Sequence, residues 1–191
     1  MARGIVCLDL GVTMRFKELT LANWDQPDPA NAVFGRISRV VGPRKMTGHD
    51  WARDFLSVEV GPQVPEHVTE LFAVARGALL YGWFFFPMFL FGEDQLHRVL
   101  ETAVKSRYDE LGGPRRQPTF KDAIDWLTEC KVIPPEDGER WEGARKMRNV
   151  ASHPERQGAM APGTVLRTLR ETAHDINRLF ARGVGGAPVT R

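Results

Sequence analysis

Hydrophobic positions change their spacing near residue 65, and this change divides the chain into two parts. Before it, short apolar groups at residues 5–8 and 37–41 are separated by Pro and Gly, which is typical of short strands or irregular structure. Residues 54–60 alternate in part and stop at a Gly-Pro pair, so we expect a strand there. The pattern predicts an N-terminal arm over residues 1–64, a helical bundle over residues 65–182 and a flexible tail over residues 183–191.

The most apolar part of the chain, residues 71–91, raises the alternative of a membrane-spanning helix. Such a helix needs roughly 20 apolar residues without a charge. Arg76 leaves only residues 77–91 uninterrupted, and Gly82 and Pro87 lie within them. We therefore expect no membrane partner, but a central helix that is surrounded by other helices or by a second subunit and bends at Pro87.

Four further segments carry the signals of helices. One begins with acidic residues and covers residues 92–108, a second follows Thr119 as its N-cap, a third includes Trp141, and the last covers residues 162–182. Short connections between successive helices favour antiparallel neighbours. The expected fold class is all-α: an antiparallel bundle of about five helices, preceded by a mixed or irregular arm.

Composition adds modest constraints. The 191 residues are 42% hydrophobic and 26% charged with a net charge of +2, as in an ordinary soluble protein. The basic excess lies in residues 140–182, which contain nine Lys or Arg and four acidic residues. Solvent-exposed helix surfaces would give the same excess. Cys7 and Cys130 lack the spacing of a metal site or a disulfide framework, and no long apolar run opens the chain. We expect a reduced, cytoplasmic protein that needs no metal or cofactor.

A polar stripe distinguishes the helix predicted near residues 145–154. Arg145, Arg148, Asn149 and Ser152 follow the i, i+3, i+4, i+7 spacing and share one face, with His153 at its edge. The opposite face is expected to be buried, and it carries Ala144, Met147, Val150 and Ala151.

The chemistry of this stripe suits a phosphate. Pro154 disfavours helical backbone at His153, so His153 should lie at the helix end, where the helix dipole raises the pKa of its ring toward neutrality. Arg148 lies about 7.5 Å earlier along the helix axis and can hold a phosphate in a fixed fork. Asn149 can orient the ring or the substrate. Ser152 can bond an anionic oxygen or the carbonyl of Arg148.

These roles fit metal-free cleavage of RNA. A base removes the proton of the ribose 2′-hydroxyl, that oxygen attacks the adjacent phosphate, and a cation stabilises the developing charge. One histidine cannot easily serve as base and acid at opposite ends of one phosphate, so a homodimer that contributes a second histidine is favoured. The structural alternative stays open, in which Arg and His near a helix end cap carbonyls or pair with surface acids.

The stretch Arg-Asn-Val-Ala-Ser-His at residues 148–153 resembles the hallmark of the HEPN superfamily, an Arg and a His separated by four residues with a polar residue directly after the Arg. The resemblance covers roughly residues 65–182. It implies an all-α HEPN bundle, commonly a dimer with two Arg/His pairs in one cleft, and in many members a metal-independent endoribonuclease of toxin–antitoxin or antiviral defence systems. Arg148 and His153 match the catalytic positions, Asn149 the polar position, and Arg145 is a candidate flanking RNA contact.

One departure from the family is informative. HEPN toxins that an AMP-adding partner silences carry a Tyr two residues after the His, whereas this chain has Glu155, which argues against this form of regulation. Other members lack nuclease activity and serve as nucleotide-binding or assembly modules. Two functions therefore follow from the resemblance: a ribonuclease with an antitoxin or defence-system partner, or a non-catalytic module that binds RNA, a nucleotide or a protein.

Overall fold

The structure is a computed structural model that describes residues 17–33, 35–38, 42–151 and 162–183. A short 3-10 helix, Pro29–Val33, precedes an antiparallel hairpin of β1 (Gly35–Ser38) and β2 (Gly42–Lys45), and a second 3-10 turn covers Pro135–Asp137. The α-helices within the described ranges are α1 (Gly48–Leu56), α2 (Glu66–Tyr81), α3 (Met88–Glu110), α4 (Phe120–Glu129), α5 (Gly138–Ala151) and α6 (Pro162–Ala181).

Helix α3 is the centre of the bundle, because α2, α4, α5 and α6 all pack against it. Its Val99, Ala103 and Val104 are completely buried. The other helices add to the same core, with Phe72 and Leu79 from α2, Leu127 from α4, and Val165, Leu169 and Ile176 from α6. The prediction of a predominantly helical bundle is confirmed.

Helices α4 and α6 form where their local signals predict them. Thr119 accepts a hydrogen bond from the N–H of Asp122 at 3.1 Å, and the carboxylate of Asp122 accepts one from the N–H of Thr119 at 3.1 Å. This reciprocal capping box satisfies two backbone donors that a helix start leaves unpaired. Helix α6 begins at Pro162, as expected, and its core face follows the predicted spacing.

The strand predicted at residues 54–60 is wrong, because its first three residues end helix α1 and the rest form no strand. Two local features select the helix. Thr47 and Asp50 form a second capping box, and Trp51 and Phe55, four residues apart, are 2% and 1% exposed. Burial at helical spacing therefore prevails over the partial alternation of polar and apolar residues.

The apolar run at residues 71–91 is two helices rather than one bent helix. Helix α2 ends at Tyr81 and α3 begins at Met88, four residues before its predicted start. A side chain at Gly82 would place a Cβ 2.4 Å from the ring of Phe89, so glycine permits the close approach of the two helices. In the described ranges, no helix has the length and apolar character needed to cross a membrane.

The N-terminal arm is tied to the α2–α3 turn by buried polar groups. Asp28, 1% exposed, accepts a hydrogen bond from the N–H of Phe86 at 2.8 Å. Asn31 donates to the carbonyls of Gly82 and Trp83 at 2.8 and 2.9 Å. These bonds satisfy backbone groups that the turn would otherwise leave unpaired.

Candidate functional site

The first turn of α5 is fixed against the end of α6. Trp141 is 5% exposed and belongs to the core. Just before it in the chain, Arg140 donates through Nε to Asp175 at 2.9 Å, and Asp137 pairs with Arg178 at 2.8 Å. The beginning of α5 is therefore anchored, which directs its later turns along α3.

Arg148 lies in the last turn of α5 and contacts the middle of α3. Its Nε donates to Oε2 of Glu101 at 2.7 Å, and the two side chains are 39% and 17% exposed. Burial tends to raise the pKa of Glu101, but hydrogen bonds from Lys105 and Arg148 outweigh it and lower the pKa. Glu101 therefore stays ionised and holds one edge of the Arg148 guanidinium.

Arg145 makes its polar contacts within α5. Its Nε and Nη2 donate to the two carboxylate oxygens of Glu142 at 2.7 and 2.6 Å. The hydrogen bond from Arg145 lowers the pKa of Glu142, and the same bond raises that of Arg145. Such exposed pairs three residues apart add little to stability. The role of Arg145 as a flanking RNA contact stays a prediction.

The predicted orientation of α5 needs a correction. Met147, assigned to the buried face, is 49% exposed, whereas Ala144 packs against the core. The face toward the bundle follows the i, i+3, i+7 spacing through Trp141, Ala144 and Arg148, because Trp141 fixes the rotation of the helix. Arg148 therefore faces α3 instead of lying opposite the buried face.

Several predicted site residues fall outside the described part of the chain. Ser152, His153 and Pro154 lie outside it, and for Asn149 the structure describes the backbone in α5 but not the side chain. The structure thus places Arg145 and Arg148 on one helix, and it adds Glu101 to the candidate site as the partner of Arg148. The positions of Asn149, Ser152 and His153 in the site remain predictions.

Glu93 and His97 are ionisable residues of α3 that the sequence interpretation did not assign to the site. With Glu101 they follow an i, i+4, i+8 spacing and lie along one side of α3. Glu93 is 7% exposed, and among the described residues neither its Oε1 nor the buried Nδ1 of His97 has a hydrogen-bond partner. The spacing of these ionisable residues along the helix was the sequence signal that could have identified them.

Burial changes the acidity of both groups. It raises the pKa of Glu93 to about 7, with a further contribution from the negative charge of Asp94. Burial lowers the pKa of His97, and Asp94 opposes this shift. Both shifts favour the uncharged form. Glu93 was expected as a helix-starting acid, but α3 begins at Met88 and places it in the helix interior.

No model of a known protein family matches the chain, and comparisons with curated proteins and with solved structures give no significant match. The resemblance of residues 148–153 to the HEPN motif therefore stays a prediction from the sequence. In the part of the chain that the structure describes, no three His, Cys, Asp or Glu residues are grouped so as to hold a metal ion.

Proposed function

We propose that the protein is a metal-independent endoribonuclease of HEPN type that uses Arg148 and His153. The observation that supports this function best is the position of Arg148, which is part-exposed in the last turn of α5 and held at 2.7 Å by Glu101. A guanidinium fixed along one edge loses less side-chain freedom when it binds a phosphate. His153 follows five residues later in the sequence.

In the proposed reaction, His153 removes the proton of a ribose 2′-hydroxyl, and the 2′-oxygen attacks the adjacent phosphorus. The bond from phosphorus to the 5′-oxygen breaks, and that oxygen takes a proton from a second histidine. The products are a 2′,3′-cyclic phosphate and a 5′-hydroxyl. Arg148 stabilises the charge that develops on the phosphate, Asn149 orients the imidazole, and Ser152 and Arg145 contact the RNA.

The second histidine belongs, in this proposal, to a second copy of the chain, with both copies of His153 in one cleft. Exposed apolar side chains near the α2–α3 turn support a homodimer, since Tyr81 is 60% exposed and Phe91 is 58% exposed. By its resemblance to HEPN proteins, the dimer acts in the cytoplasm in a toxin or defence system, where a protein partner restrains it.

A second candidate function is a non-catalytic HEPN module that binds RNA, a nucleotide or a protein partner. The ion pairs of the two arginines favour it, because Glu142 and Glu101 offset the positive charge of Arg145 and Arg148. A neutralised arginine stabilises the charge that develops during cleavage less strongly, so these pairs favour binding without catalysis.

Incubation of the purified protein with RNA in the presence of a chelator distinguishes the two functions. We expect the wild type to produce 2′,3′-cyclic phosphate ends, and Arg148→Ala or His153→Ala to slow cleavage by about 100-fold or more. Lys146→Ala is the matched control, because Lys146 is an exposed cation on the same helix. Intact RNA with the wild type, together with RNA binding that depends on Arg148, would establish the non-catalytic module instead.

A further inference from the structure

The loop over residues 18–26 of the N-terminal arm exposes three large apolar side chains. Leu21 is 97% exposed, Trp24 is 63% exposed, and Leu19 is 51% exposed. Exposed apolar groups that cluster in this way are typical of interaction surfaces. Tryptophan is also among the residues most enriched at the energetic centres of protein interfaces. The loop is therefore a candidate contact surface, separate from the candidate site on α5.

Hydrogen bonds within the loop fix its shape. Thr20 donates its N–H to Asn23 Oδ1 at 2.9 Å, and Asn23 Nδ2 donates to the carbonyl of Glu18 at 2.9 Å. The N–H of Trp24 donates to the carbonyl of Thr20 at 3.0 Å, which closes one helical turn. Leu21 and Trp24 are three residues apart on this turn and share one side of it. Because the loop is ordered in advance, it loses little freedom when it binds a partner.

The loop is fixed beside a cavity of about 230 Å³ between the arm and the α2–α3 turn. Lys17 Nζ donates to the carbonyls of Gln26 and Phe84 at 2.6 and 3.0 Å, so both ends of the loop are held at this turn. Pro27, which directly follows the loop, is part of the cavity wall. The exposed indole of Trp24 and the cavity therefore lie close together on one end of the molecule.

The cavity suits an uncharged aromatic side chain. Its walls are mainly apolar, with contributions from Pro27, Pro29, Met46 and Trp83. Asp28 also contributes, but its two carboxylate oxygens accept the N–H groups of Ala30 at 2.9 Å and Phe86 at 2.8 Å. A protein cavity of about 150 Å³ can hold a benzene ring. The larger volume is therefore sufficient for an indole.

The charges of the loop and of the cavity wall are complementary. Residues 18–26 include two exposed acids, Glu18 and Asp25, and no Lys or Arg. Lys45 lines the cavity and is exposed. A second copy of the chain thus offers an apolar cavity for Trp24 and a cation for the acid that follows it.

We propose that two copies of the chain exchange Trp24, so that the indole of each enters the cavity of the other. Asp25 of each copy then pairs with Lys45 of the other. Because the loop and the cavity lie side by side, a two-fold axis between them repeats the same contact in both directions. This inference identifies the surface of the proposed homodimer, and it rests on the proposed function only for the need of two copies.

The direction of α5 agrees with a dimer at this end of the bundle. Asp137 fixes the start of α5 to Arg178 at the end of α6, and Arg107 connects the end of α3 to the residue after α6. The last turn of α5 instead contacts Glu101 through Arg148, nearer the start of α3. Helix α5 therefore runs antiparallel to α3, toward the end that carries the loop. A dimer formed there brings the two copies of the candidate site closer together.

Sedimentation velocity of the full chain over a range of concentrations tests this surface. We expect a concentration-dependent dimer, and Trp24→Ala should weaken it about 100-fold or more, because each dimer loses two contacts. Leu56→Ala is the matched control, since Leu56 is an apolar side chain on α1 that is 48% exposed. It should leave the dissociation constant within about twofold.

A charge exchange tests the pairing of Asp25 with Lys45. Asp25→Lys and Lys45→Asp should each weaken the dimer about tenfold, and the two substitutions in one chain should restore it to within about threefold of the wild type. Failure of the double variant to recover would overturn the pairing and the orientation that it defines.

A mixture of two variants tests the exchange itself. Met46→Trp fills the cavity but keeps Trp24, whereas Trp24→Ala keeps the cavity, so each alone should be monomeric. An equal mixture retains one complete contact, and it should associate at least about tenfold more tightly than either variant alone. Circular dichroism verifies that Met46→Trp is folded; if it is not, Trp24→Ala and the charge exchange decide the question.

The outcomes distinguish this surface from the proposed function. A wild type that stays monomeric would overturn the exchange and the homodimer together. A dimer that Trp24→Ala leaves intact, or a mixture that associates no better than its components, would overturn the exchange and leave the homodimer to another surface. RNA cleavage in the same samples reports on the ribonuclease separately, because Arg148 and His153 are unchanged in every variant.

Discussion

In the C-terminal half of α3, Arg107 and Tyr108 are buried but bonded. Arg107 donates to Glu110 at 2.8 Å and to the carbonyl of Arg182, and the hydroxyl of Tyr108 accepts the N–H of Arg115 at 2.7 Å. In the N-terminal half, Glu93 Oε1 and His97 Nδ1 are buried without partners among the described residues. The same helix thus carries a polar region in which most hydrogen bonds are made and one in which buried atoms lack partners among the described residues.

The difference separates stabilising polar groups from candidates for function. A buried group with its hydrogen bonds made contributes to stability, although even Arg107 leaves its Nε unpaired within the described residues. A buried group without bonds costs stability and titrates at an unusual pH, which is typical of functional sites. Glu101, which holds Arg148, continues the side of α3 that carries Glu93 and His97, but its carboxylate accepts hydrogen bonds from Lys105 and Arg148.

The largest expected effect comes from a comparison of Arg107, a residue of α3, with Arg148, which contacts α3 from α5. Arg107→Met should lower the free energy of unfolding by about 3 kcal/mol, because this buried side chain loses its charged hydrogen bond to the carbonyl of Arg182, its pair with Glu110 and its contact with the ring of Phe180. Arg148→Met should lower it by less than about 1 kcal/mol, since this pair is partly exposed. Urea unfolding measures both. Similar losses for the two variants would contradict the distinction between the two halves of α3.

The next effect concerns the pH dependence of stability caused by Glu93. Its pKa in the folded protein is raised to about 7 from 4.5, so its contribution to stability is complete below about pH 4.5 and is lost as the pH rises through 7. Glu93→Gln cannot ionise. As the pH rises from about 4.5 to 8, the free energy of unfolding of the variant should therefore increase by roughly 3 kcal/mol relative to that of the wild type.

Urea unfolding across this pH range measures the difference between the two proteins. The lowered pKa of His97 gives a slope of opposite sign, but His97 is present in both proteins and its contribution largely cancels. Glu129→Gln, an exposed position on α4, serves as the control and should give a pH curve parallel to that of the wild type. A parallel curve for Glu93→Gln would show that the carboxyl is not the source of the pH dependence.

Sequence signals succeed in this chain where the deciding interactions are local. The cap at Thr119 and the regular core face of α6 involve residues within a few turns, so the sequence predicts both helices from local signals. The end of helix α1 was predicted as the start of a strand, because the partly alternating sequence of residues 54–60 does not reveal the burial of Trp51 and Phe55 in the core. The break between α2 and α3 depends on the approach of Gly82 to Phe89, which the apolar run does not reveal.

The candidate site depends even more on contacts between residues that are distant in the sequence, which local patterns do not reveal. Arg148 was identified from its motif, but its partner Glu101 lies 47 residues earlier, and no local spacing connects the two. The burial of Glu93 and His97 likewise depends on how α3 packs in the bundle. Asn149, Ser152 and His153 are known so far from the sequence motif.

Glu101→Gln tests whether the side of α3 that carries Glu93, His97 and Glu101 serves the proposed cleavage. Glutamine keeps the size of the side chain but holds the Arg148 guanidinium with an uncharged acceptor, so we expect RNA cleavage to fall about tenfold in kcat. Glu110→Gln is the matched control, because Glu110 pairs with the arginine of the other half. Equal activity of both variants would assign Glu101 a purely structural role.

The smallest expected effect tests the satisfied half of α3 through the chain's two tyrosines. Tyr108→Phe removes the hydroxyl that accepts the N–H of Arg115 at 2.7 Å and leaves that N–H without its partner, so the free energy of unfolding should fall by about 1 kcal/mol. Tyr81→Phe removes the same atom from a side chain that is 60% exposed, and it should change stability by less than about 0.5 kcal/mol. Both variants keep the ring, so urea unfolding isolates the hydroxyl. If Tyr108→Phe proved as neutral as Tyr81→Phe, water would replace the lost bond, and hydrogen bonding would no longer distinguish the two halves of α3.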